Sequence, residues 1–210
     1  MKKSFSVLAL VAFVFVAFNA NAQLGINFGF APETTTSQYT ISGNTTSNDN
    51  HYNGFFGGVN YNLGLTGDLN LSIGGQLRFN YHKESLTVVG VTTTSVDKQF
   101  VIDVPVLFNY GFSLGSDAKL SFMLGPVATF ALTGKTTTET TVGNVKKDTD
   151  WYGDKSNLRR LDLGMAVGVS FDFKQFRLFG GYRMGLMNLT SADNTTVKTS
   201  DFFFGLGYIL

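Results

Sequence analysis

Seven ionisable side chains stand where strand alternation would turn them inward: Arg78, Asp103, Arg160, Asp162, Asp172, Arg177 and Arg183. Each lies on the polar side of a segment whose other side is apolar. Charges withdrawn from water need partners, and a guanidinium fork matches a carboxylate well. Arg78 and Asp103 are expected nearly opposite each other on neighbouring segments, and Asp172 and Arg177 across the Lys174-Gln175 turn. With Lys119 on the same side, the set holds five positive and three negative groups. Such a set either fills an interior as a neutralised polar core or, through its positive excess, lines a narrow anion-preferring passage or ligand pocket.

Other chemistry is poorly supplied. His51 and His82 are the only histidines. His82, Glu84 and Ser85 contain the residue types of a hydrolytic triad, but a triad is defined by geometry, which this spacing does not provide. No HExxH pattern occurs and there is no cysteine, so thiolate metal sites are excluded. Asp148, Asp150 and Asp154 lack the Gly and Glu of a calcium loop. The glycine pairs Gly57-Gly58, Gly74-Gly75 and Gly180-Gly181 precede no helix and cradle no phosphate. No catalytic residue, metal site or cofactor is expected. A formal net charge of +1 offers no footprint for nucleic acid.

The elements that must position these groups alternate with period two. Leu69, Leu71, Ile73, Leu77, Phe79 and Tyr81 share one parity, and Asn70, Ser72, Gln76, Arg78, Asn80 and His82 the other. Successive side chains of a strand face opposite ways, so this is a strand with one apolar and one polar side. The pattern recurs in segments beginning near Leu24, Phe55, Phe100, Leu120, Leu161, Phe176 and Phe202, giving eight strands. Thr66-Gly67-Asp68, Leu114-Gly115-Ser116-Asp117 and Lys174-Gln175 read as short turns. Between them, 33–51, 83–97, 135–157 and 190–200 read as long polar loops.

Residues 1–22 read as a secretory leader: Lys2 and Lys3, an apolar run from Val7 to Phe18, then Ala20-Asn21-Ala22 with cleavage between Ala22 and Gln23. The remainder, 23–210, then forms one domain. A charged fraction of 15% is too small to clothe a water-facing exterior, which argues against a soluble lipocalin-like barrel. Short turns at one end, long loops at the other and outward aromatics in two belts mark a membrane barrel. Tyr61, Tyr110, Phe112, Phe171, Phe173, Phe176 and Tyr208 form the turn-end belt; Phe79, Tyr81, Phe100, Phe130, Phe202 and Phe204 form the other. The fold expected is all-β: an eight-stranded antiparallel transmembrane β-barrel, an up-and-down meander in the bacterial outer membrane. Pro105 and Pro126 lie within strands, where each removes a ladder donor, so a bulge or distortion is expected at both.

The stretch Phe100-Val101-Ile102-Asp103-Val104-Pro105-Val106-Leu107-Phe108-Asn109-Tyr110 resembles a strand of the PorT-like outer-membrane β-barrel proteins. Gly125-Pro126, Leu161-Asp162-Leu163-Gly164 and the run Tyr182 to Leu189 follow the same pattern in order. Gly205, Tyr208 and Leu210 resemble the C-terminal signal read by the barrel assembly machinery, with Leu where Phe is usual and Phe203 at a normally polar place. The resemblance implies an outer-membrane location, no catalysis and, for some members, work in secretion or gliding machineries. The expectation is a non-catalytic structural or accessory barrel that contacts outer-membrane lipid, the assembly machinery during biogenesis and an envelope protein partner through its loops. The alternative is a small passive channel or ligand-binding barrel.

Overall fold

The computed structural model describes residues 22–41, 43–141, 145–153 and 156–210. The predicted leader lies outside them up to Ala22, where the first strand begins. Ten strands follow: β1 (Ala22–Phe30), β2 (Glu33–Ile41), β3 (Asn44–Thr66), β4 (Leu69–Val88), β5 (Val91–Ser113), β6 (Ala118–Thr140), β7 (Val145–Asp150), β8 (Leu161–Phe173), β9 (Phe176–Gly185) and β10 (Thr195–Ile209). Eight wall positions close a ring in the order β1-β3-β4-β5-β6-β8-β9-β10 and back to β1, each pair antiparallel. The other two strands are extensions. β2 pairs with β3 and β10, the same neighbours as β1, so the two form one wall strand broken at Ala31-Pro32. Proline has no N–H for the ladder, which makes it a natural break. β7 returns along β6 and pairs with it above the ring.

Parity sorts the two faces. Outward residues such as Phe28 and Phe202 remain 60% and 63% exposed, while inward Arg78 and Asp103 are 2% and 1% exposed. An exterior of Phe, Leu, Ile and Val around a charged interior inverts the soluble pattern and suits a lipid surround. At the turn end Tyr110 meets Phe112 edge to face, and Phe176 meets Tyr208 likewise, with centroids 5.0 and 5.5 Å apart. Toward the other end Phe79 meets Phe100 at 4.8 Å and Tyr182 meets Phe202 at 4.9 Å.

The predicted loops 33–51, 83–97 and 135–157 are largely strand. β3, β5 and β6 each run for 23 residues, against roughly 9–11 for a membrane crossing, so each extends well beyond it. Threonine explains this. Its branched Cβ favours extended backbone, and facing hydroxyls pair across strands, as in Thr40–Thr45, Ser85–Thr94 and Thr87–Thr92 at 3.0, 3.0 and 2.9 Å. Polarity alone had read as loop. The pairing of β3 with β4 stops at Asn53 and Tyr81, so the projecting parts form two separate sheets, β2-β3-β10 and β4-β5-β6-β7. The β4–β5 hairpin turns at Val89 and Gly90, with φ of 47° and 78°.

The prolines interrupt the ladders without shifting them. The β4–β5 ladder lapses between Ile73↔Val106 and Gln76↔Asp103, and the β5–β6 ladder between Pro105↔Val127 and Phe108↔Leu124; both resume in the same register. The expected distortion is thus a lapse in pairing beside each proline, without a bulge; a register shift lies instead between Phe100 and Val101. Glycine accommodates the ring: a Cβ on Gly74 would sit 3.1 Å from Pro105 Cγ.

Candidate functional site

One layer of charge crosses the interior. Arg78 on β4 donates from Nε to Asp103 Oδ2 on β5 at 2.9 Å, and its Nη1 bonds Glu33 at the start of β2. Arg183 on β9 reaches Asp103 Oδ1 with Nη1 at 2.9 Å and Asp201 Oδ2 on β10 with Nη2 at 2.5 Å. Thr129 Oγ1 donates to Asp103 Oδ1 at 2.6 Å. Asp103 thus bridges two guanidiniums, and all five charged groups are at most 9% exposed. Asp201 stands directly across from Arg183 on one side and from Glu33 on the other. Like charges facing across a ladder repel, so the two arginines hold this arrangement together.

Toward the turn end lies a chamber of about 80 Å³, lined by Phe56, Phe179, Phe203, Met123, Val127 and Ala166 with Asp201 among its polar atoms. Three inward phenylalanines each face a glycine across a ladder: Phe56 and Gly29, Phe179 and Gly205, Phe203 and Gly181. A Cβ on those glycines would stand 2.6, 2.7 and 2.6 Å from the ring tips. The ring takes the space the glycine leaves, as in aromatic rescue of strand glycines. A wider mouth of about 620 Å³ follows at the turn end, bordered by Asn62, Asn70, Lys119 and Asp172.

The other end is capped. After β7 the chain folds inward: Trp151 N bonds Gly134 O at 2.8 Å and Trp151 Nε1 donates to Thr136 Oγ1 at 2.7 Å. Tyr152 follows, its hydroxyl accepting from Gln99 Nε2 at 2.7 Å, and Gln99 Oε1 accepts from Asn80 Nδ2 at 2.9 Å. Asn80 touches Arg78 Nη1 at 3.4 Å, so one hydrogen-bond chain joins cap to charged layer. Gly134 permits this, because a Cβ there would lie 2.6 Å from the Trp151 ring. Burial pushes the Tyr152 phenol above its ordinary range.

Arg78, Asp103 and Arg183 come together, Arg78 one diagonal step from Asp103 rather than directly opposite, since Gln76 is the residue facing Asp103. Asp172 and Arg177 pair across their turn at 2.6 and 2.8 Å, away from this layer. Asp162 is buried but held by Thr199 Oγ1 at 3.0 Å and the Met187 N–H at 3.4 Å. Arg160 stays exposed outside the cluster: it precedes β8, where strand parity no longer orients it, and donates to the Ala131 and Leu132 carbonyls at 3.1 and 2.7 Å. Its guanidinium lies 4.8 Å from the centre of the Tyr152 ring. Glu33 and Asp201 escaped the sequence reading, the first inside an apparent loop and the second just before an apparent strand. The layer therefore sets two guanidiniums against three carboxylates, two of them outside the eight groups from which a positive excess was expected. His82 stacks near Tyr52 at 5.4 Å while Ser85 bonds Thr94, so no triad forms from them.

The model of the outer membrane protein beta-barrel domain family matches residues 17–191. The chain belongs to that family. This outer-membrane barrel has its home in the bacterial outer membrane, in contact with lipid. Short turns then face the periplasm and long hairpins the exterior. Comparison with curated proteins finds no match. Among solved structures the barrel is similar to Ail, the attachment invasion locus protein of Yersinia pestis, at 15% identity over 91% of this chain and 100% of that one, with a TM-score of 0.44. It is similar to OprG of Pseudomonas aeruginosa at 12% identity over 90% and 96%, TM-score 0.43. It is also similar to the outer membrane protease OmpT of Escherichia coli at 9% identity over 92% and 98%, TM-score 0.40.

Proposed function

We propose that this protein is a non-catalytic, non-conducting accessory barrel that presents its paired external hairpins to a partner in the cell envelope. Its segments resemble the PorT-like proteins, and on this reading the barrel assembly machinery inserts it through the C-terminal strand. The observation that carries the reading is a division of labour within the chain. The Arg78–Asp103–Arg183 layer and the Trp151–Tyr152 cap occupy the lumen at two levels, while four long strands build sheets outside the membrane.

The native chain has no cysteine, so single cysteines at Thr45, Thr87 and Val145 on the hairpins, and at Gly67 on a turn, are unique cross-linking probes. In cells, one protein species is expected to be captured reproducibly from a hairpin position and not from Gly67. Capture of nothing from any position overturns the accessory role. In planar bilayers the purified barrel is expected to pass no current; steady conductance altered by Arg78→Ala favours the channel reading instead.

A further inference from the structure

Asp201 Oδ1 is buried with no hydrogen-bond partner, although the residue is only 3% exposed. Every guanidinium nitrogen around it is already turned to another oxygen. Arg78 uses Nε and Nη2 on Asp103 and Nη1 on Glu33, and Arg183 uses Nη1 on Asp103 and both Nε and Nη2 on Asp201 Oδ2. Three carboxylates against two guanidiniums leave one negative charge uncompensated, and one acceptor oxygen open, in the same place. A buried carboxylate oxygen left without a donor is costly until something meets it.

Asp201 borders the chamber of about 80 Å³, whose other walls are mainly apolar. That space exceeds the roughly 10–15 Å³ a single water needs, and its lining sets Asp201 among apolar side chains. We propose that the chamber binds a small primary alkylammonium ion. Its N–H groups meet Asp201 Oδ1, and its alkyl chain lies against Phe56, Phe179, Phe203 and Met123. The aromatic rings add attraction for the cation through their quadrupoles. Anions are disfavoured by the excess of carboxylates in the layer, and a neutral alcohol of the same shape leaves that charge unmet. Entry is from the periplasm: the chamber lining descends through Arg177, Gly25 and Gly207 toward the wide mouth, whereas the cap bars the outer end. This site is independent of the hairpin partner proposed above.

The test is calorimetric titration of the purified full chain in detergent with n-butylammonium chloride, with 1-butanol and sodium chloride as comparison ligands. Saturable binding of butylammonium is expected, with 1-butanol and sodium each at least about tenfold weaker, the scale of a charge-assisted hydrogen bond. Asp201→Asn is expected to weaken it by about tenfold or more, and Phe203→Leu by about threefold. Barrel folding is read by heat-modifiable gel migration. If Asp201→Asn does not fold, Phe203→Leu and Phe179→Leu decide: unchanged affinity in both overturns the site. So does absence of saturable binding to the native chain, or equal affinity for butylammonium and 1-butanol or sodium.

Discussion

Arg183 faces Asp201 directly across the β9–β10 ladder and holds one of its carboxylate oxygens with two nitrogens, Nε at 2.7 Å and Nη2 at 2.5 Å. Its third nitrogen holds Asp103, so one side chain neutralises two strands at once. Breaking a buried pair from one side leaves a charge with no partner, which costs about 3–5 kcal/mol. Arg183→Gln is expected to lower barrel stability by about that amount, read from urea unfolding in detergent or bilayers. A loss under about 1 kcal/mol would mean that water reaches the layer freely.

The Phe–Gly pairs make a second expectation. Gly181 faces Phe203, and an added Cβ would crowd both that ring and the Val167 carbonyl. Gly181→Ala is expected to destabilise the barrel by about 1–3 kcal/mol, the usual range for overpacking. Gly75, where an added Cβ meets nothing, is the control, and Gly75→Ala is expected to change the same unfolding curve little.

Val89 is a β-branched residue at φ 47°, in a turn whose next residue, Gly90, has φ 78°. Two positive φ angles define the type I′ hairpin, which favours Asn-Gly. Val89→Asn is expected to relieve about 1 kcal/mol of local strain. Slower hydrogen exchange of the β4–β5 hairpin amides is the readout, with global unfolding unchanged.

The cap carries its own pH dependence. Burial raises the Tyr152 phenol, so the folded state favours the neutral form. The sign follows: the contribution is present below the ordinary tyrosine value of about 10 and is lost as pH climbs through the raised folded value. Trp151 is the only tryptophan and sits beside Tyr152 in the cap. Its emission is expected to hold steady from pH 7 to about 10 and to shift only above that. Tyr152→Phe, which removes the hydroxyl bonded to Gln99, is expected to abolish that high-pH step.

Much of this was legible because a membrane strand writes its two faces in alternate letters. Leu77 and Phe79 outward with Arg78 inward needs no more than parity, and the same rule places Asp103, Asp172 and Arg183. The rule fails where the code is silent. Glu33 follows Pro32, where the wall strand breaks, and sits among threonines whose polarity resembles a loop. Asp201 lies on a strand that begins at Thr195, so reading the strand from Phe202 misses it. Arg160 obeys parity on paper but lies before the first residue of β8, where no ladder holds it. Trp151 and Tyr152 come after a hairpin, and nothing local says that a turn bends back over the mouth. That outcome depends on Gly134, which faces Trp151 from β6, the strand that β7 returns along.

Because β3 and β4 part company at Asn53 and Tyr81, the external sheets share strands with the ring but do not help to seal it. The membrane portion answers to lipid and to its charged layer, and the outer sheets touch that layer only at their base, through Glu33 and the Gln99–Asn80 link. Sequence can therefore drift, lengthen or be exchanged at the Val89-Gly90 tip while the ring keeps its register. The same ring can carry a new surface each time its owner meets a new neighbour.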